Sequence, residues 1–412
     1  MHRFHFVHAA GLGLNAPFEG VETVSDRVAT SLAGATAGAW DDLVDFCIRK
    51  PVTFVVISGG LEADGRAGLH GLLRFRLGLE RLSESGIHTL IALAPSDRQI
   101  RRVLLDETLS QVTVFPADRP ATVEIESRGV PVACVSGQSS DGNSNLDLAG
   151  FFADAAPDTA LVGVVPCDVA TLEPLLDGHA RKASYWAVGS AEQPSRRGFS
   201  PWIVESGSLQ AVRPGAEQPA RGAMHVEIEG AAVLAVNHID LDRIRYACLQ
   251  LTPQHGIADA LLRHQIMDGL NRLRATHAGR GVLVDIELAG NRPETGESPS
   301  AQRATLDSLL TALREETASW DPFVWCNRLS IQADGKSTAE AARARGALGH
   351  AIVQQSRALQ SNPLHRSYVF ANRFDPLMRR WTSEIGGEEA EQLIDDATRI
   401  ALRQVAIDEG PS

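Results

Sequence analysis

Short apolar runs alternate with longer amphipathic stretches over roughly the first 250 residues. Runs rich in β-branched and aromatic residues predict strands at 3–8, 52–58, 88–93, 131–136, 160–165 and 184–189. Apolar residues at helical spacing predict helices at about 24–50, 66–86 and 145–155. Such alternation is typical of an α/β layered core.

The pattern changes after this region. The runs AMHVEIEG, AAVLAVNHI and RYACLQL have no helix between them, which predicts a closing antiparallel meander. Residues 256–335 then follow a helix–strand–helix–strand pattern, with an exposed loop expected between Gly290 and Ser300. We therefore expect a core domain at 1–252, a small α+β domain at 253–335 and a helical segment at 336–412.

The last segment is predicted to be helical, with breaks near Pro363 and Pro376. Apolar residues recur at helical spacing in its final helix: Leu393, Ile394, Ala397, Ile400, Ala401 and Val405. Such a stripe favours docking on the chain's own body over docking on a partner. Residues 343–380 are rich in arginine and residues 384–409 are acidic, an asymmetry that suits a partner surface and solvated helix faces equally well.

Composition and charge exclude several functions. A net charge of −12 over 412 residues opposes autonomous nonspecific DNA binding, because neutralising phosphates needs clustered lysine and arginine. The opening MHRFHFVHAAGLGL has no long apolar core, and no run approaches the roughly 20 apolar residues that cross a bilayer. We expect a cytoplasmic protein without membrane contact. Cys47, Cys134, Cys167, Cys248 and Cys326 lack metal-finger spacing, which predicts reduced, mostly buried thiols.

Candidate chemistry lies in short motifs that follow the apolar runs. The first is FHFVHAAGLGLNAPF, which resembles the FxHxADLHLDSPF opening of YhaO-like nucleases, in the wider family of SbcD. The residues that match this frame are His8, Ala9, Ala10, Leu12, Leu14, Pro17 and Phe18. The two metal ligands do not match, since Gly11 stands at the aspartate and Gly13 at the histidine.

The next two motifs show the same replacement. GGLEA resembles the family's GDLYD, with Gly60 at the aspartate that bridges both metals. APSD resembles GNHD, with Pro95 at the ligand asparagine and Ser96 at the proton-donating histidine. Only Asp97 is retained.

The resemblance continues through three further segments. VPVACVSGQSS is similar to an HGQSF segment, with Ser136 at the histidine, and VGVVPCD is similar to a GLLHT strand, with Pro166 at the ligand histidine. YWAVGSAEQ looks like YWALGHVH, with Ser190 and Glu192 at the last two ligands. The segment SGSLQAVRPGAEQPARGAMHVEIEG and the 256–335 unit, which resembles a capping domain, extend the match over most of the chain.

The resemblance implies a four-layer, two-sheet metallophosphoesterase-like sandwich with a small α+β capping domain and a helical C-terminus. Members use two manganese ions to cleave DNA, form dimers, and grip an SMC-like coiled-coil ATPase such as SbcC or YhaN with their C-terminal helices. Since this chain lacks the ligands, we predict no metal cofactor and no catalytic residue. The expected function is a pseudoenzyme that scaffolds such an ATPase in DNA double-strand-break repair or DNA defence. It would reach DNA through the complex, with a homodimer as a further expectation.

Two alternatives stay open. A rebuilt metal site would draw on His8, Asp64, Asp97, Asp168 and Glu192, with Cys167 as a further candidate, and would make the chain a phosphodiesterase or exonuclease. A vacated pocket would instead bind a nucleotide or small ligand in a regulatory role.

Structural rather than catalytic roles are expected for most of these residues. The acidic pair in GLEADG is expected to cap or solvate a loop, Asp168 to cap the helix that begins VATLEPLL, and His8 to be a structural histidine. Ser96 and Ser136 lack the spaced histidine and aspartate of a nucleophilic site, so we expect them to fill space.

Overall fold

The computed structural model describes residues 2–21, 23–62, 68–106, 109–153, 155, 159–176, 183–189, 192–198, 201–214, 219–253, 259–289 and 299–332, with Gln354, Ser356, Ile394 and Thr398. The chain divides into two compact units, Met1–Leu288 with Glu294–Ser330, and Ala289–Pro293 with Ile331–Ser412. In the second unit Ile394 is buried, and the Thr398 hydroxyl donates to its carbonyl at 2.6 Å. The other C-terminal predictions, and most of the loop predicted after Gly290, lie outside the described residues.

In chain order the strands are β1 (Arg3–Ala9), β2 (Val52–Ile57), β3 (His88–Ile91), β4 (Val112–Val114), β5 (Ala121–Ser127), β6 (Val130–Gly137), β7 (Ala160–Val165), β8 (Tyr185–Val188), β9 (Ser195–Arg197), β10 (Trp202–Glu205), β11 (Gly222–Glu229), β12 (Ala232–Asp240), β13 (Ile244–Leu251), β14 (Gly281–Ala289) and β15 (Val324–Gln332). The helices are α1 (Asp26–Arg49), α2 (Gly68–Glu84), α3 (Arg98–Asp106), α4 (Val169–Leu176), α5 (Asp259–Thr276) and α6 (Pro299–Thr317). The six predicted strands are confirmed, as are the helices corresponding to α1 and α2.

The first sheet has the order β12-β11-β1-β2-β3-β4. Strands β1 to β4 run parallel, so their carboxyl ends lie at one edge, and β11 joins β1 antiparallel. Helices α1 and α2 cover the outer face, where Trp40 and Phe75 pack in one cluster with Val55 and Ile57. Burial on both faces explains why β2 reads VTFVVI without alternation.

The second sheet has the order β5-β6-β7-β8-β10-β9 and packs face to face with the first. Phe6 of β1 meets the ring of Tyr185 of β8 edge-on, with 5.1 Å between ring centroids. The neighbouring Trp186 points to the opposite face and packs under α4 against Leu172. The layers are therefore helices, sheet, sheet and helix, which confirms the predicted two-sheet sandwich.

A small third sheet has the order β13-β14-β15. One face of this sheet packs on α1, where Tyr246 and Trp325 contact a cluster that includes Val28. Helix α5 packs on β13, where Gly269 lies close to the Leu249 side chain. The predicted antiparallel meander is therefore wrong at its last strand: β11 and β12 pair antiparallel, but β13 pairs parallel with β14. Strand β13 ends before the predicted boundary at residue 252, yet it belongs to the same sheet as β14 and β15. The limits of the three predicted domains stay a prediction.

Gln210 fastens this third sheet to the core. Its side-chain amide donates to the carbonyls of Ala211 and Ile244 at 2.9 and 2.7 Å. Its amide oxygen accepts from the backbone N–H groups of Arg243 and Ile244 at 2.9 and 3.2 Å. The buried side chain thus satisfies the backbone at the start of β13.

The predicted helix at 145–155 is also wrong. Among the residues described there, 145–153 and 155, a short 3₁₀ helix, Leu148–Gly150, is the helical structure that forms. The Gln138 amide donates to the Asn145 carbonyl and its oxygen accepts from the Asp147 N–H, which removes backbone groups that a longer helix would need. The apolar residues that suggested a helix, among them Phe151, instead pack around Trp186.

No helix in the described part of the chain is long and apolar enough to cross a membrane.

Candidate active site

The motif segments meet at the carboxyl edge of the two sheets, centred on the end of β2. A Cβ atom built on Gly59 would lie 2.8 Å from the Pro166 Cβ and 3.1 Å from the Ala94 Cβ. One built on Gly60 would lie 3.0 Å from the Gly11 Cα. The positions that carry ligands in the resembling family therefore converge, but backbone and apolar atoms meet there.

Hydrogen bonds join the loop after β1 to the loop after β2. The N–H groups of Gly11, Gly13 and Leu14 donate to the carbonyls of Gly59, Gly60 and Leu61 at 3.0, 3.1 and 2.9 Å. Gly11, Gly13 and Gly60 have φ values of +55°, +52° and +71°, a left-handed conformation that favours glycine. These glycines let the pairing of β1 with β2 continue into the loops.

Asp97, the retained motif residue, is fully buried and binds backbone. Its Oδ1 accepts from the N–H groups of Leu61 and Glu62 at 2.8 and 3.1 Å, and its Oδ2 accepts from Ala94 at 2.8 Å. Burial raises the pKa of Asp97, and the hydrogen bonds from these three amides oppose the rise. The carboxylate therefore ties the β2 loop to the β3 loop.

Glu62 is a second buried carboxylate beside Asp97. Its Oε1 accepts from the N–H of Ile100 in the first turn of α3. Burial raises the pKa of Glu62, the nearby Asp97 charge adds to the rise, and hydrogen bonding to Ile100 opposes it. The sequence predicted that the acidic pair in GLEADG caps or solvates a loop. Glu62 instead caps a helix, and Asp64 lies outside the described residues.

His8 is enclosed completely between the sheets. Its Nε2 lies 2.8 Å from the Ser58 Oγ and its Nδ1 lies 2.9 Å from the Tyr185 hydroxyl. Burial lowers the pKa of His8 to about 3, so the ring is neutral at pH 7. With both ring nitrogens occupied and no carboxylate of the described residues in contact, His8 has the geometry of the structural histidine expected from the sequence.

Asp168 and Cys167 follow β7 but do not form a site. The Asp168 Oδ1 accepts from the Thr171 N–H at 2.7 Å in the first turn of α4, as the sequence predicts for a helix cap. Hydrogen bonding to Thr171 lowers the pKa of Asp168. Burial and the Asp168 charge raise the pKa of the Cys167 thiol to about 12, which keeps it protonated and unreactive.

Glu192 stands at the last ligand position, yet its exposed carboxylate turns to Arg213 at 3.1 Å. Arg213 also pairs with Glu19 at 2.9 Å. The Glu192 carbonyl accepts from the N–H of Ser208 at 3.0 Å and from the Arg221 guanidinium. Its neighbour at the other histidine position, Ser190, lies outside the described residues.

The two candidate serines separate. Ser96 is exposed in the turn that follows Pro95. Ser136 is buried in β6, where its hydroxyl accepts from Thr122 Oγ1 at 3.1 Å and donates to the Ala121 carbonyl at 3.4 Å. Neither hydroxyl has a described hydrogen bond to histidine or a carboxylate.

Comparison with known proteins finds distant similarity to a metallophosphoesterase. No protein-family model matches it. Its sequence is 22% identical over 423 residues to the uncharacterized metallophosphoesterase YhaO of Bacillus subtilis (strain 168), covering 98% of each chain. The chain is a distant relative of a metallophosphoesterase. A dimetal phosphatase from Danio rerio superposes on 57% of the chain, with 97% of its own length covered, 11% identity and a TM-score of 0.37, too loosely to support a conclusion.

A two-metal centre of the kind expected in metallophosphoesterases does not fit the residues of this site. Within the described ranges, no group of three or more histidine, cysteine, aspartate or glutamate side chains is placed to hold a metal ion. Gly11, Gly60 and Pro166 offer no side-chain donor, and the oxygens of Asp97 are engaged by N–H groups.

The sequence did not predict several of the structural contacts in this site. Ser58, in the loop after β2, and Tyr185 of β8 both contact the His8 ring. Glu62 caps a helix that begins 36 residues further along the chain at Arg98, where the sequence suggested only the cap of a loop. Tyr185 does lie in the motif YWAVG, but the motif does not reveal its hydrogen bond. Contacts at this sequence distance leave no periodic signal.

Proposed function

We propose that the chain is a non-catalytic, SbcD/YhaO-like subunit that scaffolds an SMC-like, SbcC/YhaN-like ATPase complex in DNA repair or DNA defence. One observation carries the proposal: the strand ends of a metallophosphoesterase-like core converge, while Gly11, Gly60 and Pro166 stand where the metal ligands belong. A core that keeps its architecture without its donors can present surfaces and assemble, but it cannot polarise a phosphate by a metal pair.

The remaining acids of the core support this proposal over a rebuilt phosphodiesterase. Asp97 binds three backbone amides, Asp168 caps a helix and Glu192 pairs with an arginine. A hard-cation site needs several oxygens with lone pairs aimed at one point. These three carboxylates are instead committed to separate structural contacts.

The net charge of the chain and the family resemblance support an ATPase partner. A chain with net charge −12 is poorly suited to hold DNA alone, so DNA contact is assigned to the complex. The ATPase would bind the C-terminal helices predicted in 338–412, and a second copy of the chain would complete a dimer.

Metal content and turnover test the non-catalytic part. The full chain, purified and supplemented with Mn²⁺, is assayed by elemental analysis and with a phosphodiester substrate and linear duplex DNA. We expect no stoichiometric metal and no turnover above buffer. Stoichiometric metal together with turnover that Asp97→Ala abolishes would establish a remodelled enzyme instead.

Co-expression tests the partner. Any coiled-coil ATPase encoded beside this gene is tagged and purified with the full chain and with a chain ending at residue 337. We expect co-purification of the full chain and loss of the complex on truncation. Absence of such a neighbouring gene, together with a chain that purifies alone as a monomer, would contradict the scaffold.

A further inference from the structure

We infer that the candidate site is closed: the chain's own backbone and two carboxylates hold its strand ends together, where a metal pair would otherwise do so. The inference rests on the metal-free part of the proposed function and deepens it. It adds that loss of the ligands left no pocket that a restored ligand can reuse. The ATPase partnership is not needed for it.

The first support is steric. A Cβ on Gly60 would lie 3.0 and 3.1 Å from the Cα and N atoms of Gly11, and a Cβ on Gly11 would lie 2.9 Å from the Ser208 Cα. These neighbours are backbone atoms, which cannot swing away as the end of a side chain can. A side chain at position 11 would therefore have to shift the Ser208 backbone, and one at position 60 would need the Gly11 backbone to give by a few tenths of an ångström.

The second support is the hydrogen bonding between the same loops. The donors of Gly11, Gly13 and Leu14 and the acceptors of Gly59, Gly60 and Leu61 are satisfied by one another. Leu14 and Glu62 extend this pairing as a parallel bridge. Leu14, Gly59 and Leu61 are buried and the other three residues are half-buried. Opening the loops for a metal would leave these backbone groups without partners unless water replaced them.

The third support is a pair of carboxylates that act on backbone. Asp97 joins the β2 loop to the β3 loop, and Glu62 joins the β2 loop to the N-terminus of α3. In a metal centre, cations supply positive charge to oxygens from several loops. Here the N–H groups of Leu61, Ala94 and Ile100 supply it, so Asp97 and Glu62 are positioning residues.

A matched pair of glycine substitutions tests the closure. Gly60 and Gly86 have φ values of +71° and +72°, so alanine carries the same backbone strain at both positions. A Cβ on Gly86 meets nothing within 4 Å, whereas one on Gly60 meets Gly11. We expect Gly60→Ala to melt about 3 °C or more below Gly86→Ala. Equal melting temperatures would overturn the inference.

Metal titration separates this inference from the proposed function. Gly60→Asp and the unaltered chain are titrated with Mn²⁺ by calorimetry, and we expect no stoichiometric binding to either. Binding by Gly60→Asp alone shows a vacant site in a metal-free chain, which overturns closure but leaves the scaffold. Binding by the unaltered chain contradicts both, and failed ATPase co-purification contradicts only the scaffold.

Hydrogen exchange on the unaltered chain keeps the test independent of whether Gly60→Asp folds. We expect the amides of Gly11, Gly13 and Leu14 to exchange as slowly as those of the adjoining strands β1 and β2. Exchange at the rate of an exposed loop would show that the two loops are apart, and the inference would fail.

Discussion

Replacing Asp97 by alanine separates a structural carboxylate from a catalytic one. The side chain is fully buried and accepts hydrogen bonds from the N–H groups of Leu61, Glu62 and Ala94 at 2.8, 3.1 and 2.8 Å. Alanine removes both acceptor oxygens, and with them all three hydrogen bonds, and leaves the three donors in place. If Asp97 ties loops together, stability must fall.

The magnitude follows from those donors. A buried N–H that loses its acceptor costs about 1–3 kcal/mol. Water entering the small cavity recovers part of this, and relief from burying the carboxylate recovers a further part. We therefore expect Asp97→Ala to lower the free energy of unfolding by about 3–5 kcal/mol, a loss at the upper end for single substitutions.

Urea unfolding followed by tryptophan fluorescence measures the loss, as a shift of about 1–2 M in the midpoint. Asp168→Ala is the matched control, because it also removes a motif aspartate but breaks only a helix cap, at about 1 kcal/mol. If Asp97→Ala is no less stable than Asp168→Ala, the carboxylate does not tie the loops. A stable Asp97→Ala that lost a phosphodiesterase activity present in the parent would instead mark a catalytic aspartate.

Three further substitutions test other parts of the structure. Burial lowers the pKa of His8 to about 3, so as the pH falls His8 takes up a proton in the unfolded chain before it does so in the folded chain. The free energy of unfolding that depends on neutral His8 is therefore present above about pH 6.5 and falls by about 2 kcal/mol by pH 5. Urea midpoints at pH 7.5 and 5 should therefore differ less in His8→Asn, and an unchanged difference would contradict this assignment. Gln210→Ala should lower the free energy of unfolding by about 2–4 kcal/mol and speed hydrogen exchange in β13. The control, Gln250→Ala, changes an exposed residue and should do neither, so equal exchange in the two variants would show that Gln210 does not fasten the third sheet. Glu192→Ala should change stability by less than about 1 kcal/mol because the Arg213 pair is exposed, and a change in Mn²⁺ content would reveal a ligand.

The sequence predicted those parts of the fold that depend on local pattern. Strand β2 is an uninterrupted apolar run, and α1 begins one residue after Ser25, whose hydroxyl accepts from the Val28 N–H. The partner of β13 was missed because a strand's own residues do not show which neighbour it pairs with. The prediction of a helix around Phe151 was wrong because apolar spacing is the same in a helix and in a loop anchored to a core.

The same division holds at the candidate site. The cap formed by Asp168 spans three residues and could be predicted, whereas the bonds from Leu61 and Glu62 to Asp97 span 36 and 35 residues and could not. The motif positions located the convergence of strand ends. They did not show whether the space left by the ligands stays open, since that depends on how closely the loops approach.

The close approach of these loops explains which carboxylates a metal-free site can hold. A buried carboxylate without a cation needs hydrogen-bond donors, or its ionised form is strongly destabilised. Asp97 has three backbone donors and Glu62 has the first turn of α3. An aspartate at Gly60 would instead have to fit against the backbone of Gly11, whose N–H already donates to Gly59. The left-handed backbone at Gly60 favours glycine, and the packing against Gly11 leaves a carboxylate there little room and without that donor, so restoring this ligand alone opposes both the sterics and the electrostatics of the site.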